Sequence, residues 1–159
     1  MKIMASAMLI LFSIKPEFAP LIGCRMTQRS AECGWSSYSA FGLYSFGQAL
    51  VSLTKDIDEG FFWVKAGLAL LKQESGIGQL PILNTMYHAF ISYWKEPLHA
   101  SREALIDTHQ EALLEGQMEF SMTSSLHSCR QGFMCGVNLG KLKADCTSVS
   151  NKMVSVQCC

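Results

Sequence analysis

The stretch with the clearest helical pattern in the chain is DIDEGFFWVKAGLALLKQ, residues 56–73. Its large apolar residues recur three or four positions apart, at Phe61, Val64, Leu68 and Leu71. That spacing is typical of one face of an α-helix. Asp58 and Glu59 come just before it, where a side-chain oxygen caps a helix and negative charge meets the helix's positive end. The stretch therefore predicts a helix over about residues 60–73, capped by Asp58.

The same acids invite comparison with a calcium-binding loop. Such a loop needs a glycine at its sixth position and a bidentate Glu at its twelfth. Counted from Asp56, those positions hold Phe61 and Gly67. Because both decisive positions differ, the acids indicate the start of a helix and not a metal site.

Helical spacing continues through most of the chain. It predicts further helices before Pro16, from there to Gly34, and over about residues 37–54, 81–96, 97–115 and 118–135. In the last of these we expect a buried stripe of Met118, Met122, Leu126, Cys129 and Phe133. Ser36 and Ser37 are candidate caps for the helix that follows them. No segment has the character of a convincing strand.

Helix pairs recur roughly every 35–40 residues, a period typical of helical solenoids. We therefore expect an all-α fold of antiparallel helix pairs stacked on one another, with an irregular helical bundle as the alternative. The helical-repeat domain should span residues 1–142. The tail, residues 143–159, is rich in Ser and Thr and less defined, although its spacing would allow it to belong to a last helix.

Composition excludes several classes of protein. Hydrophobic residues make up 49% of the chain and charged residues 16%, which excludes intrinsic disorder. Thirteen basic residues balance thirteen acidic ones, so no electrostatic field would attract nucleic acid or an anionic membrane. A chain with so few charged residues has little polar surface to expose to water. We therefore expect it to contact other proteins.

The cysteine pattern favours reduced thiols. There are seven cysteines, Cys24, Cys33, Cys129, Cys135, Cys146, Cys158 and Cys159. The number is odd, no C-x-x-C occurs and no Cys/His spacing fits a zinc site. We expect these thiols to pack as small hydrophobic side chains in a cytoplasmic protein.

The N-terminal run MKIMASAMLILFSI has two interpretations. One Lys followed by about a dozen apolar residues resembles a signal peptide, which would make the protein secreted or membrane-bound. The run is shorter than the ~20 residues that span a bilayer, and no convincing cleavage site follows it. We therefore expect a buried helix that ends at Pro16, and no association with a membrane.

Motifs of enzymes and cofactor sites are missing from the sequence. It contains no G-x-x-x-x-G-K-[ST], no G-x-S-x-G and no H-E-x-x-H. The four histidines, His88, His99, His109 and His127, are isolated from one another. Cys129 lies two residues beyond His127, and residues two apart on a helix point to different sides. We expect no catalytic residue, cofactor or metal; a small helical enzyme with an unrecognised site is the alternative.

The order of these signals resembles a known family. The first part of the pattern comprises Gly34, Ser37, Ala40, Phe41, Gly42, Asp56, Gly60, Phe61 and LALL at residues 68–71. The second part comprises Trp94, Pro97, Leu98, Gly116, Glu119, Phe120, Gly136, Leu139 and Gly140. Over about residues 4–142 the chain resembles the tetratricopeptide-like region of very large signalling ATPases. Those proteins also carry a protein-kinase-like domain, a regulatory NTPase of the AAA or STAND type, and sensor, histidine-kinase or cyclase domains.

The resemblance implies a right-handed superhelix that acts as a non-catalytic connector and protein-interaction module in signal transduction. Its partners would be neighbouring domains of the same polypeptide or another signalling protein. The kinase-like and NTPase domains have no counterpart in this chain, so their activities are not expected of it, and the chain would be a fragment or a separate module. Residues 143–159 depart from the family's pattern.

Six residues are expected to determine packing and turns: Gly34, Gly42, Gly60, Trp94, Pro97 and Gly116. Gly42, together with Gly47, would let another helix approach closely, whereas Gly34 and Gly116 would end helices. Gly60 follows the acidic turn at the start of the helix over residues 60–73. If Trp94 is buried, as the pattern suggests, its replacement by Ala should cost ~3–5 kcal/mol.

Overall fold

The chain folds as a succession of α-helices in a computed structural model that describes residues 1–73 and 77–157. The helices are α1 (Lys2–Ile14), α2 (Ala19–Cys33), α3 (Ser39–Ala49), α4 (Ile57–Gln73), α5 (Leu80–Phe90), α6 (Leu98–Leu114), α7 (Met118–Met134) and α8 (Leu139–Gln157). No β-strand occurs in those two ranges. The all-α prediction is therefore confirmed, and the tail after residue 142 continues α8.

Short segments of tighter or wider helix join these elements. Pro16–Phe18, Ile77–Gln79 and Ser92–Trp94 are 3-10 turns, and Leu50–Thr54 is a π-helical turn that extends α3. Lys55 then adopts a left-handed conformation with φ 62°. The segment between the helices predicted over residues 60–73 and 81–96 lies partly outside the described residues, and Cys158 and Cys159 lie outside them as well.

The start of α4 corrects one prediction. The helix begins at Ile57, three residues before the expected start. The Glu59 amide donates to Oδ1 of Asp56 at 3.0 Å, so Asp56 is the side chain that caps this end, and not Asp58. Asp58 and Glu59 lie in the first turn, where their charges meet the helix dipole as expected. α3 similarly begins at Ser39, and no side chain caps it, so Ser36 and Ser37 do not have the expected role.

The chain divides into two compact units, residues 1–83 and 84–159, and the boundary falls within α5. In the N-terminal unit, α3 packs between α2 and α4, and α1 packs on α2. The core of this unit includes Met8, Met26, Phe41, Leu43, Tyr44, Val51, Val64 and Leu71. Within the described ranges, no helix combines the length and the apolar character that crossing a bilayer requires.

Close backbone approach holds α3 against its neighbours. A Cβ atom added to Gly60 on α4 would lie 2.6 Å from the carbonyl oxygen of Gly47 on α3. On the side that faces α2, a Cβ atom added to Gly42 would lie 2.8 Å from the Cβ atom of Met26. Because real Cβ atoms do not approach other atoms so closely, glycine is the residue that fits at both contacts.

In the C-terminal unit, α7 packs against both α6 and α8. Half of the buried residues of α7 are serines, and we call them the serine face: Ser121, Ser124, Ser125 and Ser128. Ser124 Oγ donates to the Leu105 carbonyl oxygen on α6 at 3.1 Å. Small side chains allow the two helices to approach closely, and their hydroxyl groups find acceptors there.

The serine face overturns the predicted core stripe of α7. Met122 and Cys129 are buried as expected, but Met118, Leu126 and Phe133 are 39%, 56% and 68% exposed. The prediction was wrong because it assigned the buried side by hydrophobicity alone. The buried positions are those whose small size suits a close helix contact, and this turns the larger apolar side chains toward the surface.

Two substitutions on α7 test this arrangement. We expect Ser124→Leu to lower the free energy of unfolding by about 2–4 kcal/mol, because it overfills a tight contact and removes a buried hydrogen bond. Leu126→Ser should cost less than about 1 kcal/mol, because that side chain is already largely in water. Denaturant unfolding of both variants measures the difference. The reverse order of stabilities would show that the serine face is not the buried side.

Candidate functional site

A groove in the C-terminal unit is lined by both apolar and polar side chains. Its volume is about 470 Å³, and it is lined by Tyr93, Leu98, Arg130, Gln131 and Met134. Tyr93 comes from the 3-10 turn before α6, Leu98 from the start of α6, and the other three from α7. Residues that are far apart in sequence thus converge because α7 packs on α6.

One side of α7 continues from the groove onto the surface. We call this side the outer face: Leu126, Arg130, Phe133 and Met134, at positions i, i+4, i+7 and i+8. Residues with that spacing share one side of a helix. Phe133 and Met134 are each 68% exposed, and Arg130 is exposed as well. The outer face is therefore an apolar surface that carries one cation at its centre.

The floor of the groove is polar and is anchored to α5. Arg130 Nη2 donates to the Ala89 carbonyl oxygen at 3.2 Å, and Gln131 Nε2 donates to the His88 carbonyl oxygen at 2.8 Å. These bonds fix both side chains, while the Arg130 guanidinium has further N–H groups to offer. Gln131 is 1% exposed, and within the described part of the chain its Oε1 atom accepts no hydrogen bond. The groove thus combines apolar walls with a fixed donor and a buried acceptor.

His127 lies beside the groove on α7. Its ring meets that of Phe90 edge to face, with 5.1 Å between the ring centroids. Burial lowers the pKa of His127 below its ordinary value, and the positive charge of Arg130 lowers this pKa further. The side chain is therefore held in its neutral form, and its protonation reports on the charge at Arg130.

A second, smaller groove is more polar. It encloses about 250 Å³ and is lined in part by Arg102, His109, Ser125, Ser128, Cys129 and Asp145. Nearby, Ser121 Oγ lies 2.6 Å from Nδ1 of His109, a distance that resembles a nucleophile and its base. Ser121 is fully buried, however, so no substrate can reach its hydroxyl group in this arrangement. This Ser–His contact holds α6 to α7.

Metal ligands do not converge in the parts of the chain that the structure describes. Over residues 1–73 and 77–157, no group of three or more His, Cys, Asp or Glu side chains has an arrangement that could hold a metal ion.

The exposure of the cysteine thiols also differs from the expectation. Cys24, Cys33, Cys135 and Cys146 are exposed, and among the described cysteines Cys129 is the one that packs as a small hydrophobic residue.

The glycines expected to shape the fold lie at turns and helix contacts, remote from any one site. Gly34 and Gly116 follow α2 and α6 with φ values of 100° and 72°, which favour glycine. Gly42 and Gly60 lie at the helix contacts of the N-terminal unit described above. None of the four lines either groove.

Trp94 is not the core residue that the sequence suggested. Its side chain is 48% exposed, and its ring lies 5.9 Å from that of Tyr93, centroid to centroid. The expected loss of ~3–5 kcal/mol applies to a buried tryptophan and does not fit this position. Pro97 is the N-cap residue of α6, and its carbonyl oxygen accepts from the Ala100 amide at 3.1 Å.

Sequence reasoning missed Tyr93, Arg130, Gln131 and Met134 as site residues. The helical spacing of Leu126, Arg130, Phe133 and Met134 was a usable signal, but Leu126 and Phe133 had been placed in the core. Tyr93 and Leu98 carry no such signal, because their relation to α7 depends on tertiary packing.

Comparison with known proteins adds no family to these observations. No protein-family model matches the chain, and no curated protein or solved structure matches it.

The environment of His127 predicts a pH-dependent stability. Because its pKa is lower in the folded protein, the unfolded chain binds a proton at a higher pH than the folded chain does. Stability is therefore full above the ordinary His pKa of about 6.5 and is lost as pH falls from there toward the lowered value. We expect the free energy of unfolding to fall between about pH 7.5 and 5.5, and to fall less in His127→Gln.

Urea unfolding at the two pH values measures this loss, and His99→Gln is the matched control because His99 is exposed on α6. The control should retain the pH dependence of the unmodified protein. An equal pH dependence in the His127→Gln variant would contradict the assignment to His127.

Proposed function

We propose that the chain is a non-catalytic helical module that binds another protein through the groove and the outer face of α7. The observation that carries this proposal is the exposure of Leu126, Phe133 and Met134 beside a cavity of about 470 Å³. Contiguous exposed apolar surface of this kind marks sites of protein–protein contact. Aromatic residues, Met and Arg are also the side chains enriched at such interfaces.

The chemistry of the site favours one class of partner. The cavity has room for a large apolar side chain between Tyr93, Leu98 and Met134. Arg130 in the polar floor of the groove would pair with a carboxylate, because a guanidinium binds carboxylates through two parallel hydrogen bonds. We infer that the partner presents an amphipathic helix with an aromatic or aliphatic anchor and an acidic residue one turn away.

The wider setting that we propose is a signalling ATPase of the kind that the sequence resembles. Antiparallel helix pairs would stack as a tetratricopeptide-like right-handed superhelix and connect an NTP-driven switch to an output domain in the cytoplasm. Support comes from the order of glycine, Trp and Pro positions in the sequence and from the packing of consecutive helices on each other, as in α3 with α4 and α6 with α7. The partner would then be a domain of the same polypeptide or of another signalling protein.

The binding site can be tested by selecting, from a displayed library, peptides that bind the full chain. We expect a library of helical peptides with random sequences to yield binders that combine an apolar anchor with an acidic residue. Met134→Glu should weaken binding by at least about tenfold, because it places a charge in the apolar wall. Arg130→Glu should shift the selected peptides from acidic to basic residues.

A matched control comes from α6, where Leu114 is 89% exposed and lies outside the residues that line the groove. Leu114→Glu should bind the selected peptides as the unmodified protein does. Nuclear magnetic resonance of His127 supplies a second readout, because an acid beside Arg130 offsets the guanidinium charge and raises the lowered pKa of His127. Equal binding by the Met134→Glu and Leu114→Glu variants would overturn the proposed site.

The proposed parentage has a separate test. If the module belongs to a signalling ATPase, the genomic sequence upstream should encode, in the same frame, a nucleotide-binding domain with the G-x-x-x-x-G-K-[ST] motif. Sequencing across the flanking DNA decides this. An upstream region with no such frame would remove the ATPase setting, and the peptide-binding result would remain valid without it.

A further inference from the structure

An ion pair lies in the wall of the smaller groove. Arg102 on α6 and Asp145 on α8 both line this cavity of about 250 Å³, and Arg102 Nη2 lies 3.7 Å from Asp145 Oδ2. A hydrogen bond between a guanidinium and a carboxylate is shorter, at about 2.7–2.9 Å. The two charges therefore attract each other without a hydrogen bond between them, and both groups keep hydrogen-bonding capacity for a bound molecule.

The Arg102 side chain is held in place but is not fully paired. It is 17% exposed, and a Cβ atom added to Gly132 on α7 would lie 2.9 Å from its Nε atom. Within residues 1–73 and 77–157, this buried Nε atom has no hydrogen-bond partner. Buried donors are nearly always paired in folded proteins. The unpaired donor therefore favours an acceptor that the described chain does not supply.

The rest of the groove supplies hydroxyl groups and apolar surface. Ser125 and Ser128 of α7 line it and are 7% and 8% exposed. Ile106 of α6 and Val149 of α8 line it as well. Two opposite charges, two hydroxyl groups and two aliphatic side chains thus border a single cavity.

We propose that the smaller groove binds a free α-amino acid with a short aliphatic side chain. The carboxylate of the ligand pairs with Arg102, and its ammonium group pairs with Asp145. Its side chain packs against Ile106 and Val149. This site is separate from the proposed partner site, because none of the described residues lines both grooves.

The charges of the groove select a zwitterion. A simple anion that Arg102 attracts is repelled by Asp145, and a simple cation meets the opposite conflict. In an amino acid, both charged groups are attached to one carbon atom, so each can meet its opposite charge in the groove at the same time. The four charges then alternate in sign around a closed ring, and each one attracts both of its neighbours.

The volume of the groove limits the size of the ligand. Pockets for drug-sized ligands enclose about 300–1,000 Å³, whereas this cavity encloses about 250 Å³. A charged side chain on the ligand would lie beside Ile106 and Val149, which offer it no polar partner, and burying an unpaired charge is costly. Valine and leucine are therefore the expected ligands.

Nuclear magnetic resonance of the full chain, titrated with valine and with leucine, tests the proposal. Two analogues are the matched controls: isobutylamine is valine without its carboxylate, and isovalerate is valine without its amino group. We expect saturable binding of valine or leucine. Each analogue should bind at least about tenfold more weakly than valine, because it loses hydrogen bonds to a charged group.

Substitution of the two charged residues shows which end of the ligand each one binds. The Arg102→Gln variant should lose the preference for valine over isobutylamine, and Asp145→Asn should lose the preference for valine over isovalerate. Asp145 is 42% exposed, so its replacement tests the site even if the Arg102 variant does not fold. Lys143→Gln is the control and should bind valine unchanged, because Lys143 is exposed on α8 and is not among the residues that line the groove.

Either of two results would overturn the proposal. The first is a failure of both valine and leucine to bind at millimolar concentrations, which would mean that the groove holds solvent only. The second is binding that does not depend on the paired charges. Equal affinities for valine and its two analogues would show this, as would an Asp145→Asn variant that still prefers valine to isovalerate.

Discussion

Close approach of helix backbones determines which side chains each helix can bury. In the N-terminal unit, α3 and α4 meet at Gly47 and Gly60, where a Cβ atom on Gly60 would lie 2.6 Å from a carbonyl oxygen. In the C-terminal unit, α6 and α7 meet at the serine face, whose hydroxyl groups bond to acceptors such as the Leu105 carbonyl oxygen. Because small residues occupy these helix contacts, fewer large apolar side chains can be buried there.

The position of the large apolar residues follows from that constraint. With 49% hydrophobic residues, the chain holds more apolar side chains than its tight helix contacts accept. On α7 the excess lies on the outer face, where Leu126 and Phe133 are more than half exposed. Exposed apolar area costs free energy in water, roughly 25 cal/mol for each Å². That cost is recovered when a partner covers the surface, which is why the outer face and the neighbouring groove carry the proposed function.

Neighbouring residues in the sequence were enough to predict where the helices lie, but not which side of each helix is buried. Gly34 and Gly116 end helices through their own backbone conformation, with φ values of 100° and 72°, so neighbouring residues suffice to locate these ends. The burial of Ser121 and Ser124 depends on hydrogen-bond partners supplied by α6, which no pattern within α7 contains. Hydrophobic spacing therefore chose the wrong side of α7. The groove was beyond prediction for the same reason, since Tyr93, Leu98 and Arg130 meet through packing alone.

α8 is held to α7 and α6 by contacts near its N-terminal end. Leu142 is buried, and its Cδ1 atom lies 3.1 Å from the position that a Cβ atom on Gly132 would occupy, so α8 also meets α7 at a small residue. Beyond Leu142, the ion pair of Arg102 with Asp145 is partly exposed, and such pairs contribute at most about 1 kcal/mol. Regions with few buried apolar contacts open more readily than the core. The part of α8 that follows Leu142 is therefore expected to open more readily than the contact between α6 and α7.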